Sequence, residues 1–177
     1  MRRAVHHLVV CSLIAGLAMG QASTAGPSFE AFRLRSGMTP DEVGKEFPNY
    51  ELRWLAQPHG AAMLVQRPVN PDDPDIYASL AFCNNRLVSI IRNVDPDTDF
   101  LAYAQDYLRE YGQPTVNVQK QPWTGKNGGD ITTLKFVWVR GGLRREVTLI
   151  PEGRTGTGEL LYVRTSSVRI ASDSPCR

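Results

Sequence analysis

The chain has 177 residues, with 20 lysines and arginines, 18 aspartates and glutamates, and three histidines. Arg2 and Arg3 lie in an N-terminal leader; without them 18 basic residues face 18 acidic ones, which excludes the strong positive field that nucleic acid or an anionic membrane surface demands. His6 and His7 lie there too, leaving His59, and a single imidazole excludes histidine-built zinc sites, two-histidine iron triads and haem pairs.

The leader reads as a secretory signal peptide over residues 1–25: a basic start, an apolar run from Leu8 to Met19, then small residues with cleavage after Ala22 or Ala25. The run of about 12 residues falls short of the roughly 20 that span a bilayer, so no membrane span is expected. Cys11 sits inside the run, where it cannot serve as a lipoprotein anchor. The expected location is the periplasm or the exterior. About 152 residues then remain, one ordinary domain or two small repeats, enough to bury a core without a metal. Cys83 and Cys176 are left in an oxidising compartment, where an isolated pair is expected to join as a disulfide and hold the C-terminal tail.

The first predicted structure is a short helix within 32–47. Thr39-Pro40-Asp41-Glu42 is a capping box, Pro40 suits the first helical position, Met38 and Val43 can staple the helix start, and Pro48 ends it. Tyr50, Leu52 and Trp54 alternate with Glu51 and Arg53, predicting a strand. A turn at Pro58-His59-Gly60 leads to a partner strand over 61–67. Residues 68–75, with three prolines and three aspartates, read as an exposed loop. Ile76, Ala78, Leu80 and Phe82 form the next alternating strand. Asn84-Asn85 predicts a two-residue hairpin into a strand over 86–94.

A second helix opens near Thr98, with Asp97 or Thr98 as its cap and Asp99 complementing the dipole. Its apolar stripe is Phe100, Ala104, Tyr107 and Tyr111, with Leu101 and Leu108 beside it. Gly112 takes the position past its end and Pro114 blocks continuation. A strand over 131–140, a Gly141-Gly142 turn, a strand over 143–150, a flexible loop over 153–158 and a last strand over 159–170 complete the reading. The expected class is α+β, with short helices packed on one face of an antiparallel sheet. The order also suggests one helix-plus-strands unit used twice, over 26–97 and 98–177.

The segment 33–48, RLRSGMTPDEVGKEFP, carries Gly37-Met38-Thr39-Pro40-Asp41-Glu42-Val43, and 108–114 reads LREYGQP. These stretches resemble small envelope domains of the SmpA/BamE type, which share an architecture with the β-lactamase inhibitory proteins: a helical element on an antiparallel sheet, sometimes in tandem. The resemblance implies binding to other proteins of the cell envelope and no catalysis. The assembly components of that type are lipid-anchored, a feature this leader lacks.

Chemistry-bearing clusters are sparse. His59 in a Pro-His-Gly turn reads as a solvated side chain, and a Cys83–His59 thiolate pair lacks the helix start such a nucleophile needs. Asp95-Pro96-Asp97-Thr98-Asp99 imitates half a calcium loop but has Phe100 where glycine is required. Gly125 to Gly129 lacks the order of a phosphate loop. No metal and no cofactor is expected. Trp123, Arg140, Arg144 and Arg145 cluster about the glycine hairpin and are the candidate partner-binding residues, since tryptophan and arginine anchor interfaces. The expected function is an exported, non-enzymatic protein presenting a β surface to a protein partner. The alternatives are an inhibitor of a secreted enzyme, a small hydrolase with a carboxylate pair, and a carrier with a dry cavity lined by Phe82, Ile90, Phe136 and Leu149.

Overall fold

The computed structural model describes residues 27–57, 60–68, 75–122, 130–154, 160–162 and 164–172. The leader over 1–25, His59, Trp123, the 125–129 loop and Cys176 lie outside the described residues. A small hairpin comes first, β1 (Glu30–Ala31) and β2 (Leu34–Arg35). Helix α1 (Pro40–Glu46) follows, then β3 (Glu51–Gln57), β4 (Gly60–Arg67), β5 (Asp75–Cys83) and β6 (Arg86–Val94). Helix α2 (Asp99–Tyr111) leads to β7 (Thr115–Pro122), β8 (Asp130–Arg140) and β9 (Leu143–Ile150). A second small ladder joins β10 (Gly153–Arg154) to β11 (Leu160–Tyr162), and β12 (Thr165–Ser172) closes the order.

Eight strands form one antiparallel sheet in the order β3-β4-β5-β6-β12-β9-β8-β7. The class is α+β, as the mix of lone helices and strand runs implies. The order has a plain symmetry. Each helix is followed by strands that step from an outer edge inward, and the last strand of each set, β6 and β12, meets the other at the centre.

The local reasons are visible in the chain. The Thr39 hydroxyl accepts from the Glu42 amide at 3.3 Å, and the Glu42 carboxylate accepts from the Thr39 amide at 2.7 Å, so the capping box is complete. Val43 is buried and Met38 packs against the same cluster, as a staple requires. Asn84 and Asn85 both have positive φ, and so do Gly141 and Gly142, which makes each pair a type I′ hairpin turn. Met63, Val65, Ala78, Leu80 and Phe82 are buried from two adjacent strands at alternate positions.

Directly opposed residues in an antiparallel ladder share a face, so register sorts the side chains. One set runs Trp54, Met63, Leu80, Ile90, Ile170, Arg145, Trp138 across seven strands. A parallel row runs Leu52, Val65, Ala78, Arg92, Val168, Val147, Phe136, Val116. Two hydrophobic clusters rest on this set. One gathers Phe29, Leu34, Val43 and Phe47 onto Met63, Val65, Leu80 and Ile90. The other gathers Phe100 and Tyr107 of α2 onto Trp138, Val147 and Val168. Phe32 packs against both.

Several expectations need correction. The hairpin β1–β2 precedes α1, where the sequence reading began with helix; its turn residues, Phe32 and Arg33, both have positive φ, which neither side chain favours. Strand β7, over which the sequence reading placed no element, is an edge strand with Val116 and Val118 exposed. The loop expected over 153–158 begins as β10, and the single last strand is divided into β11 and β12. Leu101 and Leu108 of α2 are 58% and 42% exposed rather than packed. Neither Asp97 nor Thr98 caps α2 with its side chain: Thr98 holds the cap position without a side-chain bond, the Asp95 carboxylate accepts from the amides of Asp97 and Thr98 in the turn before it at 2.8 and 2.9 Å, and the Asp95 carbonyl accepts from the first helical amides of Asp99 and Phe100.

Candidate binding surface

The second set of sheet side chains alternates with the first. One row runs Arg53, Leu64, Ser79, Ile91, Arg169, Glu146, Val137, Thr115. The next runs Leu55, Ala62, Ala81, Ser89, Ala171, Arg144, Val139. The middle of the second row is small, with Ala62, Ala81, Ser89 and Ala171, of which Ser89 and Ala171 are buried; in the first row Ser79 lies between Leu64 and Ile91. Larger and charged side chains stand to either side of that strip.

Glu146 sits at its border with its side chain only 7% exposed. A carboxylate at that burial needs partners. Arg144 Nε donates to Glu146 Oε1, and Arg169 Nη1 lies 3.6 Å from the same oxygen. The Arg144 and Arg169 side chains remain 38% and 36% exposed. Arg169 Nε is buried with no acceptor. Two half-exposed guanidiniums are therefore fixed by one buried acid, with donor capacity left over. Such planar forks suit a carboxylate or a row of carbonyl oxygens on a partner.

The first set carries a different local site around the end of α2. Trp138 Nε1 donates to the Gly112 carbonyl at 2.8 Å, and Arg145 lies over the Tyr111 ring at 4.3 Å from its centre. Burial pushes the Tyr107 hydroxyl up to about 12, against the opposing pull of the Arg145 charge. Burial, then the hydrogen bond to Glu110, also raises Tyr111. Beside this, Leu101, Leu108, Val116, Phe136 and Trp138 line an apolar groove of about 230 Å³.

The structure separates the arginines that sequence proximity groups together. Arg144 belongs to the row with Ala81 and Ala171, whereas Arg145 and Arg140 belong to the Trp138 set, because neighbours on a strand point to opposite faces. Trp138 is core, 4% exposed. Cys83 ends β5 opposite Arg86, half-buried; its expected partner Cys176 lies outside the described residues. Phe82 and Ile90 are buried in the filled first cluster, while Phe136 and Leu149 flank the second, so these four do not line one cavity. The buried acid Glu146 faces arginines rather than another carboxylate. Among the described residues no group of three or more histidine, cysteine, aspartate and glutamate side chains is placed to hold a metal, and no helix is long and apolar enough to cross a membrane.

The residues that sequence reasoning missed are Glu146, Arg169 and Arg53. Only Arg169 had a signal in the chain, as the one charged residue of β12; Glu146 sits among Arg144 and Arg145 on β9, and Arg53 beside Glu51 on β3. No protein-family model matches the chain, and no curated protein and no solved structure matches it significantly.

Proposed function

We propose that this is an exported, non-catalytic binding protein that offers the Arg53–Ala81–Arg144–Arg169 face of its sheet to a protein partner in the cell envelope. The observation that carries the reading is the buried Glu146 carboxylate holding Arg144 and Arg169 half-exposed beside a strip of alanine and serine. A shallow strip lets another backbone or side chain approach closely, and pre-positioned arginines lose little freedom on binding. In this reading both helices lie on the other face: Val43, Phe100 and Tyr107 pack only with the opposite row set, which supports it. The leader supports export, and a Cys83–Cys176 disulfide would tie the tail beside the β5–β6 turn.

The chain is also read as one unit used twice, over 26–97 and 98–177. The inward stepping of both strand sets and their meeting through β6 and β12 support this. So do the helix exits, Lys45-Glu46-Phe47 and Arg109-Glu110-Tyr111, which match in charge and aromatic order.

The test is affinity capture from envelope extract with the wild-type protein, Arg144→Ala/Arg53→Ala, and Leu108→Ala as an opposite-face control. One partner retained by wild type and Leu108→Ala and lost by the double variant supports the reading. Repeated recovery of no specific partner, or capture indifferent to the double variant, sinks it. If the captured partner is a secreted enzyme whose turnover falls on addition of this protein, the function narrows to inhibition.

A further inference from the structure

Three irregularities of the fold converge on one arginine. Arg92 belongs to the core-side row, between Ala78 and Val168. Its guanidinium carbon lies 5.0 Å from the Phe32 ring centre and 4.8 Å from that of Tyr77. Its Nε is buried with no hydrogen-bond partner, and among the described residues it forms no ion pair. A guanidinium cannot shed its charge, so leaving its buried Nε–H without an acceptor costs free energy.

The surroundings are built to keep it there. Val65 opposes Ala78 and Gln66 opposes Ile76, so Tyr77 is the extra residue of a β-bulge, and the bulge turns its ring toward Arg92. Asn93 Nδ2 donates to the Ile76 carbonyl at 2.9 Å, bonding the carbonyl next to the unpaired residue. On the other side, the Phe32-Arg33 turn holds two bulky residues at φ 54° and 69°. That conformation costs about 1–2 kcal/mol per residue, and it lays Phe32 over the guanidinium and Arg33 at the rim. Bulges and strained turns are both enriched beside functional sites.

The resulting pocket has a volume of about 300 Å³, at the small end for ligand sites, and is walled by Phe32, Arg33, Glu46, Tyr50, Tyr77 and Arg92. Two guanidiniums and one carboxylate leave one net positive charge, which matches a monoanion better than a dianion. The aromatic walls match a flat apolar body. We propose that this pocket binds a small aromatic or unsaturated monocarboxylate, its carboxylate on Arg92 and Arg33 and its body between Phe32 and Tyr50. The site lies in the core-side row set, apart from the arginines invoked for partner binding.

The test uses benzoate and inorganic phosphate as probes, with ¹⁵N-labelled protein and the arginine Nε–H signals as readout. Benzoate should move the Arg92 signal saturably, with a dissociation constant in the millimolar range or tighter. Arg33→Gln, a rim substitution that leaves the core intact, should weaken it about tenfold, as expected for loss of a charged hydrogen bond. Arg92→Lys should weaken it at least as much, with its thermal midpoint confirming the fold. No saturable shift up to about 10 mM benzoate, binding indifferent to Arg33→Gln, or tighter binding of phosphate than of benzoate overturns the proposal. None of these outcomes depends on finding a protein partner.

Discussion

Trp138 on β8 donates its indole N–H to the carbonyl of Gly112, the residue that ends α2, at 2.8 Å. That one bond satisfies a helix-end carbonyl and pins the helix exit to the sheet. Tyr107 packs edge-on to the same indole with ring centres 5.5 Å apart. Replacing Trp138 with phenylalanine keeps a ring but removes the donor and leaves a gap. The expected loss is about 2–3 kcal/mol, from an unmet carbonyl and a small cavity. A urea midpoint unchanged from wild type would show that α2 is held by something else.

Tyr107 itself sets the alkaline limit. Its hydroxyl is pushed up to about 12 by burial, whereas an unfolded tyrosine ionises near 10. The folded state therefore keeps a proton that the unfolded state releases. Its contribution is complete below pH 10 and is lost as pH rises from there toward 12. Tyr107→Phe should flatten the fall of the urea midpoint across that window, and should remove the most alkaline step from an absorbance titration of the tyrosines. An unchanged titration curve would contradict the assignment.

Acid acts at the starts of the two helices. Glu42 is held below the usual carboxylate range by its bonds to the Thr39 amide and hydroxyl. Asp95 is likewise lowered by the amides of Thr98 and Asp97. A lowered folded value means the stabilisation is full above the unfolded value, near pH 4, and is lost as pH falls through the folded one. Thr39→Ala should cost about 1 kcal/mol at neutral pH. Below pH 4 the difference between Thr39→Ala and wild type should shrink, because the box is then protonated. A gap that stays constant from pH 7 to pH 3 would show that the Glu42 side of the box contributes nothing.

What was legible in the sequence follows from range. The Thr39–Glu42 box and the Asn84-Asn85 and Gly141-Gly142 turns are complete within four residues, so their chemistry could be read directly. The alternation of Ala78, Leu80 and Phe82 was equally plain, because a buried strand flanked by strands must show it. The Phe32-Arg33 turn was illegible: neither residue favours positive φ, and the reason for it, Arg92, comes from another strand. Arg144 and Arg145 looked like one patch because adjacency in sequence is nearness in space, yet a strand sends them to opposite faces. Glu146 stood out in no motif, since Arg169, one of its two partners, belongs to β12.

Glu146 is the most consequential single acid. Its side chain is nearly inaccessible while Arg144 and Arg169 reach water. Neutralising it leaves Arg144 and Arg169, the latter already short of an acceptor at Nε, with no counter-charge between them. Glu146→Gln should cost about 2–3 kcal/mol, less than a fully buried pair because both guanidiniums are partly solvated. Arg144→Ala should cost under about 1 kcal/mol, since Arg169 remains beside the carboxylate. Equal losses for the two substitutions, measured by urea unfolding, would contradict this asymmetry.

Among the described residues, three two-residue turns with both φ positive make an internal comparison. Asn84-Asn85 and Gly141-Gly142 adopt positive φ with residues suited to it, and Phe32-Arg33 does so with residues that are not. The side chain of Phe32 offsets part of the strain through Tyr103, whose ring centre is 6.2 Å away, and through Arg92. Arg33 is exposed and forms no ion pair among the described residues, so nothing local offsets its share. Arg33→Gly should therefore stabilise the fold by about 0.5–1 kcal/mol, the backbone gain reduced by the freedom glycine adds to the unfolded chain. Asn85→Ala, placed at φ 58°, should destabilise by about 1 kcal/mol for the same reason reversed. If Arg33→Gly instead lowers the thermal midpoint, the arginine side chain supports the fold directly, and its place at the rim of the Arg92 pocket is structural rather than reserved for a ligand.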